Sequence, residues 1–210
     1  MSYSTIDIVL LMYSYARAER EKHKREKGVI WVTDLVRCPL KLVFEERYPE
    51  LALQEIFKPS LMIGNLLHRG LESLLKDLVQ AQGFTVETEV EVSKDVVLDD
   101  GTSIYVKGRL DAVLSRDLEK VAIEVKTSRS DRNIPQKHHV DQVRAYNWLT
   151  DSIGTVLLYI TPSRITQFFI EDRMDTAEVV SRITSKKAPR YSWECGYCTY
   201  SVMCPNKIET

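Results

Sequence analysis

The sequence predicts an α/β protein, a mixed central sheet flanked by helices, with a cysteine-bearing flap. Three observations carry this. A leucine stripe at helical spacing fills residues 59 to 81, period-2 strands follow from 84 to 127, and helical and strand patterns alternate up to residue 186. The tail from residue 190 is different, crowded with aromatics and holding three of the four cysteines.

At 210 residues and 44% hydrophobic, the chain can bury one sizeable core with an appended subdomain. A net charge of -1 excludes a protein that coats nucleic acid by bulk charge, so such contact has to come from a local patch. Lys107, Arg109, Lys126, Arg129, Arg132, Lys137, His138 and His139 form one candidate. The apolar run from Ile8 to Met12 is far too short to span a bilayer and no basic region precedes it, which predicts a cytoplasmic chain without a membrane partner. No Walker phosphate loop, internal repeat or low-complexity linker occurs, so an ATP-driven motor is not expected.

Taken in order, residues 4–28 pattern as a helix, apolar at first and then charged through RAEREKHKREK. Glu21 and Arg25 stand there at the favourable i, i+4 spacing, and the run reads as a solvated helix rather than a DNA contact. A short helix from Asp34 and another over 39–47, with Pro39 in its first turn, follow. In the helix predicted over 59–81, Ile63, Leu67, Leu71, Leu74 and Leu78 make a core stripe, and Gly83 is a stop. Residues 84–98 alternate as a long strand, Asp100-Gly101 turns the chain, and a strand over 102–107 leads into a hairpin. Beyond it come a helix over about 135–150, strands over 153–161 and 164–171, and a helix over 174–186.

The hairpin, KGRLDAVLSRDLEKVAIEVKTS, places charge among apolar residues. Leu110, Ala112 and Leu114 fall on one face of its first run and Val121, Ile123 and Val125 on one face of its second, with Ser115 to Lys120 as the connection. Pairing 114 with 121 sets Asp111 opposite Glu124, with Cβ atoms roughly 5 Å apart, and like charges so placed are unfavourable unless something neutralises them. Lys126 shares the face of Glu124. Two acids at oxygen-ligand distance beside a lysine suit a hard divalent cation and a phosphate together. The alternative is a solvated face on which Arg109 and Lys126 simply pair with the two acids.

Other segments supply matching pieces. His68, in GNLLHRGLE, lies one position off the leucine stripe at the margin of the buried face, where a lone histidine is more often structural than a ligand. Gly64 one turn earlier leaves space above the imidazole, and Glu72 one turn later is placed to orient or supplement it. Gln142 and Tyr146 stand four apart on the helix that follows the Glu124–Lys126 strand, within reach of a scissile strand; read alone, they are ordinary surface residues of an amphipathic helix.

Cys195 and Cys198 form a C-x-x-C, Cys204 follows after five residues, and Cys38 stands far upstream. Such spacing suits a tetrahedral zinc or a four-thiolate iron-sulfur cluster, and does not choose between them. Buried thiols or two disulfides are the alternatives, the latter disfavoured in a cytosolic chain. Tyr191, Trp193, Tyr197 and Tyr200 crowd the last three cysteines, as a shield for the centre or as platforms for unpaired bases.

Read in order, these pieces resemble the RecB-like branch of the restriction-endonuclease-type, PD-(D/E)xK, nuclease superfamily. Its His, G-x-x-D, E-x-K and Q-x-x-x-Y signature matches His68, Gly108-Arg109-Leu110-Asp111, Glu124-Val125-Lys126 and Gln142 to Tyr146. A solitary upstream cysteine closing with C-x-x-C-x(5)-C, in a short chain without helicase parts, is similar to the iron staple of the CRISPR-associated RecB-like exonucleases. The resemblance implies a restriction-endonuclease-like core over 59–188, an N-terminal helical segment over 1–58 with Cys38, and a cysteine-rich segment over 189–210. It implies a metal-dependent DNA exonuclease in which His68, Asp111, Glu124 and the backbone carbonyl of Val125 hold Mn or Mg. Lys126 would steady the attacking water or the scissile phosphate, and Gln142 and Tyr146 would position the DNA strand. Cys38, Cys195, Cys198 and Cys204 would hold a 4Fe-4S cluster, with zinc as the alternative. It further implies single-stranded or frayed DNA as substrate, 5′ to 3′ polarity, and fragment trimming beside CRISPR integrase proteins, with oligomers allowed. Two rivals remain: a non-catalytic DNA-binding or scaffolding subunit, and a restriction-type endonuclease.

Overall fold

The structure is a computed structural model and describes residues 6–22, 26–80, 82–150 and 152–209. Six strands form one mixed sheet: β1 (Val29–Trp31), β2 (Thr85–Val97), β3 (Ser103–Arg116), β4 (Glu119–Thr127), β5 (Gly154–Ile160) and β6 (Ile165–Ile170). The long β3 organises them. β2 pairs antiparallel along one edge, while the other edge is divided: β1 runs parallel to its start, from Val29↔Tyr105 to Trp31↔Lys107, and β4 runs antiparallel to its end. β5 adds in parallel to β4, and β6 closes the order as a hairpin with β5. The expected mixed α/β architecture is present.

The helices are α1 (Ile8–Lys22), α2 (Val32–Leu35), α3 (Pro39–Arg47), α4 (Pro49–Ala52), α5 (Pro59–Gln80), α6 (Lys137–Leu149), α7 (Thr176–Thr184) and α8 (Glu194–Tyr197). α5 covers one sheet face, where Leu71 and Leu75 pack on Ala112, Ile123 and Val125. α6 and α7 cover the other, where Val106, Leu110 and Ala122 meet Ala145, Tyr146, Trp148 and Val179. The sheet is thus sandwiched, and β4 runs through it with four consecutive buried residues, Ala122 to Val125.

Several expectations shift. The first helix spans only Ile8–Lys22. Arg25 lies outside the described residues, and Glu21 pairs with Arg17 at 3.3 Å instead. β1 is unforeseen, because three residues carry too little pattern, and α2 starts at Val32 rather than Asp34. Asp34 sits inside that helix and reaches back to accept the Trp31 N–H at 3.0 Å. α4 and the 3-10 turn Leu53–Phe57 are also unforeseen.

The core stripe of α5 is narrower than expected. Leu71 packs on the sheet, but Ile63, Leu74 and Leu78 are exposed. The hairpin connection shrinks from six residues to Asp117-Leu118, since Ser115↔Lys120 and Arg116↔Glu119 still pair. Polar residues there are the exposed tip of a ladder rather than a loop.

The faces of β3 also differ from simple alternation. Leu110 packs with Val90 on the α6 side, whereas Ala112 and Leu114 pack with Leu71 and Val86 on the α5 side. The β2–β3 ladder skips the level of Glu89 and Asp111, where Glu89 adopts φ 55, in the left-handed region. This kink exchanges the two faces of the strand, and Asp111 sits on it.

Candidate active site

The expected register is present: Leu114 pairs with Val121 and Ala112 with Ile123. Continued by one step it would oppose Asp111 and Glu124, but the ladder ends there. Asp111 Oδ2 accepts the Val125 N–H at 2.7 Å, so its carboxylate takes the place of a strand partner. Its Oδ1 lies 3.1 Å from His68 Nδ1, which brings α5 to the same point. A Cβ at Gly64 would meet Thr127 Oγ1 at 3.6 Å, an ordinary contact, so the approach does not depend on this glycine.

Glu124 is 3% exposed. Its Oε1 accepts from Lys126 Nζ at 2.6 Å and from Gln142 Nε2 at 2.9 Å, while its Oε2 is buried with no hydrogen-bond partner. Burial pushes its pKa up to about 7 and the Asp111 charge adds to this, against the pull of Lys126. For His68, burial alone would lower the pKa, but the Asp111 carboxylate beside it outweighs burial and raises it. Glu72 is pushed up by burial and by its neighbours Glu89 and Asp111, and its Oε1 is likewise buried without a partner. Acidic charge is therefore concentrated here beyond what one lysine and one histidine offset.

Gln142 and Tyr146 are both buried, so the reading as ordinary surface residues does not hold. Gln142 also donates to the Tyr146 hydroxyl at 3.3 Å, and that hydroxyl donates to the Arg109 carbonyl at 2.9 Å. The pair clamps Glu124 and β3 to α6. Gly108 makes room for it: a Cβ there would stand 2.6 Å from Tyr146 Cε1, which gives the glycine of the G-x-x-D its physical reason.

Glu89 was not foreseen. In a strand reading TVETEVEV it is one glutamate among three, and nothing in that alternation marks it as the one on the kink. It pairs with Arg109 at 2.9 Å. The basic patch is correspondingly reduced, with Lys107 on Glu26 at 3.3 Å and Lys137 on Asp141 at 3.4 Å. Burial, with help from nearby Lys126, pushes His138 down to about 4 and His139 to about 2, so both are neutral. Arg129 and Arg132 remain exposed on the loop leading into α6.

All four cysteines line one pocket of about 150 Å³, with Phe44, Trp193 and Tyr197 among its walls. Cys38 is the residue before α3, and its N–H donates to Glu194 Oε1 at 2.6 Å. The other oxygen of Glu194 accepts from the Arg190 and Tyr191 N–H groups at 2.7 and 2.8 Å. Burial pushes the Cys38 and Cys198 thiols up, with the nearby Cys204 adding to it. Tyr200 is fully buried and stacks on Phe44 at 5.6 Å, fastening the tail to α3. Among the described residues no three His, Cys, Asp or Glu side chains close on a common point as metal ligands. In the acidic cluster the groups pair with each other instead, and the Lys126 ammonium occupies one oxygen of Glu124.

Sheet order, flanking helices and the acidic cluster at the β3–β4 junction define a restriction-endonuclease-like nuclease of the RecB-like branch. No protein-family model matches the chain. The CRISPR-associated exonuclease Cas4 of Saccharolobus solfataricus is 42% identical over 196 residues, covering 90% of this chain and 94% of that one. The crystal structure of SSO0001 matches with a TM-score of 0.90 and 39% identity, covering 96% of this chain and 98% of the other. The chain belongs to the CRISPR-associated exonuclease Cas4 family and is a CRISPR-associated nuclease, hence a hydrolase. Among the described residues no helix is long and apolar enough to cross a membrane.

Proposed function

We propose that the protein is a divalent-metal-dependent exodeoxyribonuclease that trims single-stranded or frayed DNA ends, 5′ to 3′, before their integration into a CRISPR array. The curated relative is a CRISPR-associated exonuclease, which supports the activity and the setting. The reading places the chain in the cytoplasm with integrase proteins as partners; polarity and partners rest on the family resemblance.

The observation that carries the metal is the buried, unpartnered Oε2 of Glu124 beside Asp111. A buried acceptor with no donor, in a carboxylate already resisting ionisation, fits a cation. His68, Asp111, Glu124 and the Val125 carbonyl would hold it, and the hard oxygen donors with one imidazole suit Mn or Mg. When bound, the ion supplies acidity to the attacking water and offsets charge growing on the phosphate. Lys126, only partly buried, steadies the water or the scissile phosphate. Gln142 and Tyr146 hold Glu124 in place through the bonds described above, and so position the strand through the site rather than from the surface.

The four cysteines fit an iron-sulfur cluster. Burial, with the nearby Cys204, disfavours the Cys38 and Cys198 thiolates, which bound metal reverses, and the pocket offers more room than one zinc ion needs. A 4Fe-4S cluster is the assignment, with zinc as the alternative; the visible spectrum of fresh protein separates them.

The decisive test is end-labelled single-stranded DNA with Mn or Mg, wild type beside Lys126→Ala, read on a sequencing gel. Stepwise release from one end by wild type alone is expected. Equal products from both proteins would overturn the site, and cutting of circular single-stranded DNA would make it an endonuclease.

A further inference from the structure

We propose that Trp193 and Tyr197 form a stacking platform for the unpaired bases next to the cleaved bond, reached from the acidic cluster past the first turn of α6. This rests on the nuclease reading above and adds the path that the strand takes.

Tyr146, Gln142 and His138 stand at successive four-residue steps on α6, and so line one face, about 6 Å apart along the axis. Gln142 touches Glu124, and one step on, the His138 ring lies 4.6 Å from that of Trp193. Trp193 stacks on Tyr191 at 5.9 Å and 15°, and meets Tyr197 edge-on at 6.2 Å. Rings therefore begin where the polar residues of the site end. Lys126 pairs with Tyr159 across the β4–β5 ladder, the Tyr159 hydroxyl lies 2.7 Å from His139, and the His139 ring lies 4.0 Å from that of His138, so contacts link the lysine of the site to the rings.

The outer two rings are open, with Trp193 41% and Tyr197 77% exposed. Both rings also wall the cysteine pocket, but unlike Tyr200, which is enclosed against Phe44, they keep much of their surface open. His138, against Trp193, is held neutral by burial, so the stack presents uncharged π faces. Arg129 and Arg132, exposed on the loop before α6, supply charge for phosphates. Open rings together with exposed arginines are the usual means of holding single strands without reading sequence.

The test is fluorescence anisotropy with an oligothymidylate of about 12 nucleotides, in a Lys126→Ala background that keeps the strand intact, walking one abasic position along it. One or two adjacent positions near the bound end should each weaken binding about tenfold, the effect of one lost stacking contact. In Trp193→Leu/Tyr197→Leu that position-specific penalty should vanish while the visible spectrum of the cysteine centre is unchanged, and Tyr197→Phe should keep it. A flat scan, which needs no change to either ring, or a penalty that survives in the leucine chain, overturns the platform. A wild-type chain that cleaves labelled ends yet gives a flat scan loses only this proposal; one that never cleaves loses the nuclease reading first.

Discussion

The Tyr191 hydroxyl donates to Asp141 Oδ2 at 2.7 Å, joining the cysteine-bearing tail to the helix that carries Gln142. Arg182 reaches the same carboxylate at 3.2 Å and Arg144 at 3.6 Å. Burial pushes the Asp141 pKa up, but the Tyr191 hydrogen bond and the Arg182 charge outweigh it, and the group lies below the usual carboxylate range. Flap and α6 thus share one buried ionic joint.

Tyr191→Phe should lower stability by about 1.5–3 kcal/mol, the range for a hydrogen bond to a charged group. Asp141→Ala should cost about 1.5–3 kcal/mol, because it removes the Tyr191 and Arg182 contacts while Arg182 keeps Glu178 at 3.0 Å. Urea midpoints at constant slope check both. A Tyr191→Phe chain as stable as wild type would mean that the tail docks without this bond.

Two buried histidines should make the chain less stable in mild acid. His138 and His139 are held down to about 4 and about 2, against an ordinary value of 6.5. The unfolded chain takes up protons that the folded one refuses, so the contribution is complete above 6.5 and shrinks as pH falls below it. The Tyr159 hydroxyl accepts from the Gln136 N–H at 2.9 Å and lies 2.7 Å from His139 Nδ1, which casts that nitrogen as its acceptor and the ring as neutral. His139→Phe should flatten the fall in stability between about pH 6.5 and 4, measured as denaturation midpoint against pH.

Glu124 has the opposite sign. With its pKa raised to about 7, it favours the metal-free fold while protonated; that contribution is complete below the ordinary 4.5 and is lost as pH rises through 7. Mn or Mg should reverse the trend, raising the melting temperature most above pH 7, with roughly 2.7 kcal/mol of stabilisation at a hundredfold excess over Kd. Glu124→Gln should lose the metal response and the pH dependence together, as differential scanning fluorimetry can show.

Gly108→Ala should cost about 1–3 kcal/mol and depress nuclease activity, since the new methyl meets the Tyr146 ring at 2.6 Å. Replacing the ring should relieve it. In a double-mutant cycle with Tyr146→Leu, the alanine should be better tolerated, and strict additivity would show that the ring already has room to move.

Much of this site was legible because its signals are local and periodic. Leu114 and Val121 set a register that holds to within one residue of Asp111, and the Gln142–Tyr146 spacing puts two side chains on one helix face. What sequence concealed depends on tertiary placement. Glu89 is marked only by a left-handed kink that alternation cannot display, and β1 forms only because β3 is long enough to leave an edge for it. The α5 stripe misled in the other direction: helical spacing shows which leucines align, but the sheet beneath reaches only the middle of the helix. Burial of Gln142 and Tyr146 was equally invisible, as polar tips on an amphipathic helix read as outward-facing.

Glu194 ties the Cys38 N–H to the backbone of residues 190 and 191 with its two oxygens, and none of these three bonds involves sulfur. The distant ends of the polypeptide are therefore registered by ordinary protein forces before any inorganic guest arrives. If the cysteines hold the proposed centre, the flap is docked before it loads and only the thiols have to converge, so a chain stripped under mild conditions should keep the shape that reloading needs.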